Sequence, residues 1–353
     1  MRLIEETIAK IIPQDQTARA KAKSRLDQLT MPHWALGKLM DLALDLAGMT
    51  GSLSPAVERR AVVTMAADHG VAAESVSKYP REVTAQMVYN FVNGGAGINA
   101  LARAAGARVV VVDMGVAADL APLAREGKIV SKRVAAGTGN MAAGPAMTRE
   151  EAVRSVEAGI EVARELAGFD VLGTGDMGIG NTTAASAVVA AMTGLPAAEV
   201  TGRGTGIDEA QLKHKVQVIE RALALNQPDS SDGLDVLSKV GGFEIGGIAG
   251  LILGAAAMRR PVLLDGFPAS AGALIAQSLA PLSADYMIAS HLSVEKGHVA
   301  IHSRLGKTPL LDLNLRLGEG TGAALAMNLV DAAVRILTEV ATFDEASVSK
   351  ADT

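Results

Sequence analysis

The chain contains no cysteine. Disulfide frameworks and thiolate metal sites are thereby excluded, and a reducing, cytoplasmic setting is expected. Aromatic residues make up only 3% of the 353 positions, with a single Trp. The core therefore has to be built from Ala, Val, Leu and Ile. A strong charge bias is missing too. The net charge is -5 with no run of basic residues, which excludes the electrostatic footprint of a nucleic-acid partner. The longest apolar run, residues 245–258, spans 14 residues and is closed by Arg259-Arg260, too short to cross a bilayer. The first residues, Met1-Arg2-Leu3-Ile4-Glu5-Glu6, carry acids where a secretory signal would carry an apolar run. No membrane partner is expected.

Several catalytic signatures are absent as well. There is no G-x-x-x-x-G-K-[ST], no H-E-x-x-H and no G-x-S-x-G. A P-loop nucleotidase, a zinc protease and a serine hydrolase of the strand–turn–helix type are disfavoured. The six histidines show no metal-ligand spacing. His69, His291 and His298 read as loop hydrogen-bonders near strand ends, and no metal is expected.

What the chain does have is glycine, 37 residues of it, placed after short apolar runs. Ala61 to Ala67 leads to Asp68-His69-Gly70, and Arg108 to Val112 leads to Asp113-Met114-Gly115. Phe169-Asp170-Val171-Leu172 leads to a loop at Gly173-Thr174-Gly175-Asp176. Pro261 to Leu264 leads to Asp265-Gly266-Phe267, and Tyr286 to Ala289 leads to Ser290-His291. Short, almost wholly apolar strands suit a parallel sheet covered on both faces. Helices are expected between them. One opens near Pro80, one is capped by Thr148 with Glu151, one by Asp208 with Gln211, and a last one follows Gly322. Residues 1 to about 50 read as helical. Gly246, Gly250 and Gly254 form a smooth helix face for close packing, with a subunit interface as one use. The pattern predicts an α/β fold, a doubly wound parallel sheet with ligands beyond the carboxyl ends of the strands.

Two glycine-rich stretches carry carboxylates. Gly173-Thr174-Gly175-Asp176-Met177-Gly178 matches G-x-G-x-x-G, and Glu199 lies about where a ribose-binding acid would. An NAD(P)-binding oxidoreductase is one reading. Against it, the strand falls in the middle of the chain and Asp176 would repel a pyrophosphate. The other reading is a loop that cradles one phosphate with its backbone N–H groups, with Asn181-Thr182-Thr183 capping the next helix. The second stretch is Leu315-Arg316-Leu317-Gly318-Glu319-Gly320-Thr321-Gly322. Taken alone, Glu319 reads first as an acid in a helix-end turn. Gly137-Thr138-Gly139-Asn140, Gly202-Arg203-Gly204-Thr205-Gly206 and Asp265-Gly266-Phe267 add glycine-lined segments, and Lys215 is either a phosphate ligand or a solvated helix lysine. One phosphate, one sugar and two carboxylates point to chemistry at an anomeric carbon.

Gly178-Ile179-Gly180-Asn181-Thr182-Thr183-Ala184-Ala185-Ser186-Ala187 and Arg316-Leu317-Gly318-Glu319-Gly320-Thr321-Gly322-Ala323 resemble the two signature blocks of the nicotinate-nucleotide:dimethylbenzimidazole phosphoribosyltransferase family. Asp68-His69-Gly70-Val71, Asn226-Gln227-Pro228, Lys239-Val240-Gly241-Gly242-Phe243, Leu263-Leu264-Asp265-Gly266-Phe267 and Ser290-His291 extend the resemblance, in the same order, over nearly the whole chain. It implies transfer of 5-phosphoribose from nicotinate mononucleotide to 5,6-dimethylbenzimidazole, giving α-ribazole 5′-phosphate and nicotinate, a step of cobalamin lower-ligand synthesis. It also implies a cytoplasmic homodimer without a bound cofactor. A Rossmann-like large domain (51–310) is expected, with a small helical domain from both chain ends (1–50 and 311–353). By resemblance Glu319 is the catalytic base, and Asp176 stands where the family usually has a second glutamate. Gly175, Gly178, Asn181, Gly202, Gly204, Lys215 and Asp265 fall on the phosphate and sugar side, and Tyr79, Met87 and Leu317 on the wall of the base pocket. Two departures are visible. Asp176 is one methylene short, and Met31-Pro32-His33-Trp34-Ala35-Leu36-Gly37 replaces a Lys-Pro-Pro-Gly-Ser-Leu-Gly run, which leaves the native base open. A nucleotide-binding module without catalysis remains the third reading.

Overall fold

The five apolar runs become largely buried strands of a parallel sheet, in which every second residue need not be polar, and a sixth, two-residue strand that is only partly buried joins its edge. They are β1 (Arg60–Ala67), β2 (Ala107–Gly115), β3 (Val130–Ser131), β4 (Val171–Met177), β5 (Val262–Leu264) and β6 (Met287–Ala289). The computed structural model describes residues 1–204 and 206–349. In space the order is β3-β2-β1-β4-β5-β6. The order reverses between β1 and β4. A separate pair, β7 (His291–Ser293) and β8 (Leu311–Leu315), is also parallel.

The sequence places a loop at Gly173-Thr174-Gly175-Asp176, but these residues are strand. β4 runs through Met177, with Gly175 opposite Thr64 and Asp176 opposite Met65 of β1. The glycines are there for a close approach. A Cβ on Gly173 would press on Ala323 and Met327 at 3.1 Å, and one on Gly175 would overlap the backbone of Glu319. They clear a strip of sheet for a turn that arrives some 140 residues later. The G-x-G-x-x-G match is therefore no strand–helix turn, and no pyrophosphate has room against Gly175.

Helices cover both faces. Phe243–Ala257 packs along Arg149–Glu165, the helix that Thr148 and Glu151 cap as expected. A Cβ on Gly250 would overlap the Val156 carbonyl, and one on Gly254 would crowd Ala163 at 2.6 Å. The small-residue face is thus taken by a helix of the same chain, and the subunit interface suggested for it is corrected. The helix expected from Pro80 begins at Val83 and ends at Val92; Pro80 instead closes a turn onto Val83. Glu209–Asn226 follows its Asp208–Gln211 capping box.

Both chain ends meet in one helical layer. Gln16–Leu26 and Lys38–Thr50 pack on Thr321–Glu339. Thr30 N–H donates to Ala341 and Phe343 N–H to Gln28, while the Arg25 guanidinium reaches the Leu337 carbonyl and Glu345. Thr321–Glu339 is, by length and composition, apolar enough to cross a membrane, but 61% of that window is buried inside the fold. Its hydrophobicity is used in packing. β8 pairs with β7, and Leu310 N–H donates to the Ala289 carbonyl at the end of β6, which ties the segment after 310 to the edge of the sheet.

Candidate active site

A cleft of about 250 Å³ opens at the carboxyl ends of β4, β5 and β7. Asp176 stands in its wall at the end of β4, 5% exposed. Asn181, first residue of the helix Asn181–Thr193, donates through Nδ2 to Asp176 Oδ2 at 2.8 Å. Asp176 Oδ1 has no partner among the described residues. Burial, with Asp265, Glu244 and Glu319 close by, pushes the Asp176 carboxyl well above the ordinary carboxylate range, against the Asn181 hydrogen bond. Burial and the neighbouring carboxylates thus disfavour its ionised form.

Glu319 lies on the turn that covers Gly175. Three successive residues, Gly318, Glu319 and Gly320, have φ of 82°, 63° and 100°. Glycine takes that region freely; a glutamate does so at a cost of roughly 1–2 kcal/mol. The surroundings hold the turn in place. Glu319 N–H donates to the Asp176 carbonyl at 3.3 Å, and Thr64 Oγ1 donates to the Glu319 carbonyl at 2.8 Å. Asp265 accepts from the N–H groups of Gly320, Gly322 and Ala323 at 2.7–3.2 Å, so it caps the following helix and ties the turn to the end of β5. The Glu319 carboxylate is 5% exposed and accepts from Ile98 N–H at 3.1 Å, at the first turn of the helix Gly97–Ala104. Burial raises its pKa above the ordinary value, while the Ile98 N–H opposes and Asp265 adds to the rise.

The expected residues divide into four groups. Asp176, Gly178, Asn181, Gly204, Tyr79 and Leu317 line the cleft. Tyr79 and Leu317 are 53% and 60% exposed, an apolar lip at its mouth. Glu319 and Lys215 stand immediately behind the wall. Glu319 follows the cleft residues Leu317 and Gly318, and its carboxylate is directed to Ile98. Lys215 is no solvated helix lysine: it is 1% exposed and donates through Nζ to Thr182 Oγ1 at 2.8 Å, and Thr182 faces the cleft. Burial lowers the Lys215 pKa to about 8, against the pull of Glu295. Gly202 lines a neighbouring cleft of about 510 Å³, with Gly204, Glu295 and Arg316 shared between the two. Gly175, Asp265 and Met87 are not on the cleft. Gly175 is covered by the Glu319 turn, Asp265 spends its carboxylate on three backbone N–H groups, and Met87 stands by Asn90 on its own helix.

Other residues enter that sequence reasoning did not assign to a site. His69 Nε2 lies 2.8 Å from Glu244 Oε1 with both side chains buried, behind Gly178. Their separation of 175 residues leaves no local signal. His291 and Ser293 line the cleft, and His298, in the helix Gly297–Leu305, accepts through Nδ1 from Ser293 N–H at 2.8 Å. Among the described residues no group of three or more His, Asp or Glu is arranged to hold a metal ion. Two carboxylates of raised pKa, a buried lysine behind a threonine hydroxyl and a glycine loop can hold a phosphate at one end and manage a proton at the other.

The comparisons agree with that chemistry. A family model described as phosphoribosyltransferase matches residues 11–348. A nicotinate-nucleotide–dimethylbenzimidazole phosphoribosyltransferase of Syntrophotalea carbinolica is 66% identical over 351 residues, 99% of each chain. One of the same name from Desulfotalea psychrophila is 58% identical over 351 residues, again 99% of each. The crystal structure of CobT from Thermus thermophilus superposes with a TM-score of 0.90 at 51% identity, covering 95% of this chain and 100% of that one.

Proposed function

The chain belongs to the nicotinate-nucleotide–dimethylbenzimidazole phosphoribosyltransferase family, and from that premise we propose that it moves 5-phosphoribose from nicotinate mononucleotide to 5,6-dimethylbenzimidazole. The observation that carries the reading is the main-chain bond from Glu319 to Asp176, which joins the backbones of two buried acids at the end of β4. The dinucleotide alternative loses its footing, because its first two glycines, Gly173 and Gly175, are inside that strand.

The phosphate sits at the end bounded by Gly204, Thr182 and Lys215, and the ribose lies along Asp176 and Asn181. The flat base enters between Tyr79 and Leu317. One ring nitrogen attacks the anomeric carbon as the C–N bond to nicotinate breaks on the opposite face. The β-linkage becomes α, and nicotinate leaves with its ring nitrogen neutral. The attacking ring becomes cationic, so its other N–H turns acidic as the bond forms. Glu319 takes that proton. A carboxylate of raised pKa is well matched to this late-developing acid, and such help is worth about 10²–10⁴-fold. In-line placement of the two rings adds to it.

The subunits are read as a cytoplasmic homodimer, with the lower-numbered helices and the residues after 310 forming a small domain beside the sheet. The exposed apolar side chains Tyr79, Tyr89, Leu313 and Leu317 support the pairing, and the absence of cysteine supports the compartment. The deciding experiment incubates the chain with nicotinate mononucleotide and a panel of benzimidazoles, adenine and phenols. Nicotinate and an α-linked ribotide should appear in equal amounts with at least one benzimidazole. Binding of the nucleotide without nicotinate release from any acceptor would sink the proposal.

A further inference from the structure

Glu295 is a buried carboxylate that the reaction above does not use. It follows β7 by two residues and is walled in by the segment 202–204. Its Oε1 accepts from Gly204 N–H at 2.9 Å, and its Oε2 is buried with no partner among the described residues. Gly202 is bare on this side because a Cβ there would overlap Glu295 Oε2. Lys215 lies behind the same loop: a Cβ on Gly204 would stand 3.3 Å from its Nζ and 2.9 Å from Thr182 Oγ1. A backbone N–H on a glycine loop, a hydroxyl and a lysine are what a phosphate needs. One part of that set already holds an anion, and the anion belongs to the protein.

We propose that Glu295 occupies the phosphate seat of the unliganded chain and is evicted when the substrate's phosphate enters. The proposal rests on the reading of 202–204, Thr182 and Lys215 as the phosphate end. A place for the displaced side chain exists. Glu295 is shared by the two clefts, and the second is lined by Arg203, Lys296 and Arg316, with Glu209 paired to Arg203 at 2.8 Å. Swinging outward, the carboxylate exchanges a buried site with an orphaned oxygen for a cation-rich, solvated one. Nothing else about the bond to Gly204 requires a charge, since a neutral carbonyl would accept the same N–H. The carboxylate therefore sets an electrostatic threshold: a phosphate dianion displaces it, and a ligand without phosphate leaves it in place.

Calorimetric titration of inorganic phosphate, nicotinate mononucleotide and nicotinate riboside into the wild type and Glu295→Gln tests this. The amide keeps the acceptor and the shape but removes the competing charge. Phosphate and nucleotide should bind at least about five-fold tighter, the low end of typical coupling between ligands, while riboside affinity stays the same. Glu295→Asp, too short to reach Gly204, should also tighten phosphate binding and covers the case in which the glutamine variant does not fold. Lys215→Met should abolish the gain in either background. Unchanged or weaker phosphate binding in the Glu295 variants overturns the proposal, as does an equal gain for the riboside. The measurement needs no turnover, so failure of the transfer reaction would be seen separately, in the nicotinate-release assay.

Discussion

At position 319 a glutamate holds a backbone conformation that suits glycine, between two glycines that hold the same one. Strain of this kind persists only where neighbours over-determine it, and here Thr64, Asp176 and Asp265 all bind the turn. Replacing Glu319 by Gln keeps the turn and the acceptor for Ile98 N–H but removes the base. Turnover should fall about 10²–10⁴-fold with nucleotide affinity close to wild type, as read by nicotinate release and calorimetry. Asp176 gives a pH prediction. Its folded pKa lies well above the ordinary carboxylate range, so the folded chain holds a proton that the unfolded chain gives up. The associated stability is complete below about pH 4 and is lost as the pH rises through the folded pKa. Asp176→Asn removes that loss while still accepting from Asn181. Its melting midpoint should exceed the wild type's by about 2 °C or more at pH 8, and the gap should close as the pH approaches 4. A lower midpoint at every pH would show that the charge itself is stabilising. None of these couplings was legible from residue types. The sequence marks Glu319 and Asp176 as acids on glycine-rich stretches, and the bond between them follows from the fold alone.

Among elements, β4 and the turn before Thr321–Glu339 behave as one unit. Gly175→Ala puts a methyl group into the Glu319 backbone, where no flexible side chain can yield. Unfolding in denaturant should show a loss of about 1–3 kcal/mol, and turnover should drop further than stability alone explains because Glu319 is pushed away. Asp265→Ala strips the acceptor from three buried N–H groups. A loss on the order of 2–3 kcal/mol is expected, with the melting curve as the check; an unchanged curve would mean water replaces the carboxylate without cost. This element is also where sequence reasoning went astray. Gly173 and Gly175 read as a turn because glycine commonly marks one. Their second use, a bare strand under a distant loop, leaves the same letters. Lys215 was ambiguous for a related reason. Helical periodicity places it on a face of its helix, but only the packing of 202–204 and Thr182 shows that the face is buried.

For the whole molecule, the parallel sheet was readable from short apolar runs ending in polar or glycine residues, because a strand buried on both faces has that composition and little else does. The switch point between β1 and β4 was not, since strand order depends on crossovers that local patterns do not record. Membership in the family came through whole blocks of residues, and it links this sheet to phosphoribosyl transfer more tightly than the fold could. Sedimentation at micromolar concentration should give a mass near twice the 36.2 kDa of one chain. A single-chain mass would leave the apolar lip at Tyr79 and Leu317 in water and would remove the dimer from the reading.

The order in which the chain is made gives the Glu319 turn one more meaning. Asp176 and its strand emerge in mid-synthesis, with Gly173 and Gly175 leaving a strip of sheet uncovered. The residues that close the strip, bind Asp265 and lock it against the first helices are made long after it. A growing chain therefore keeps that strip of β4 open until the turn at Gly318 to Gly320 has been made.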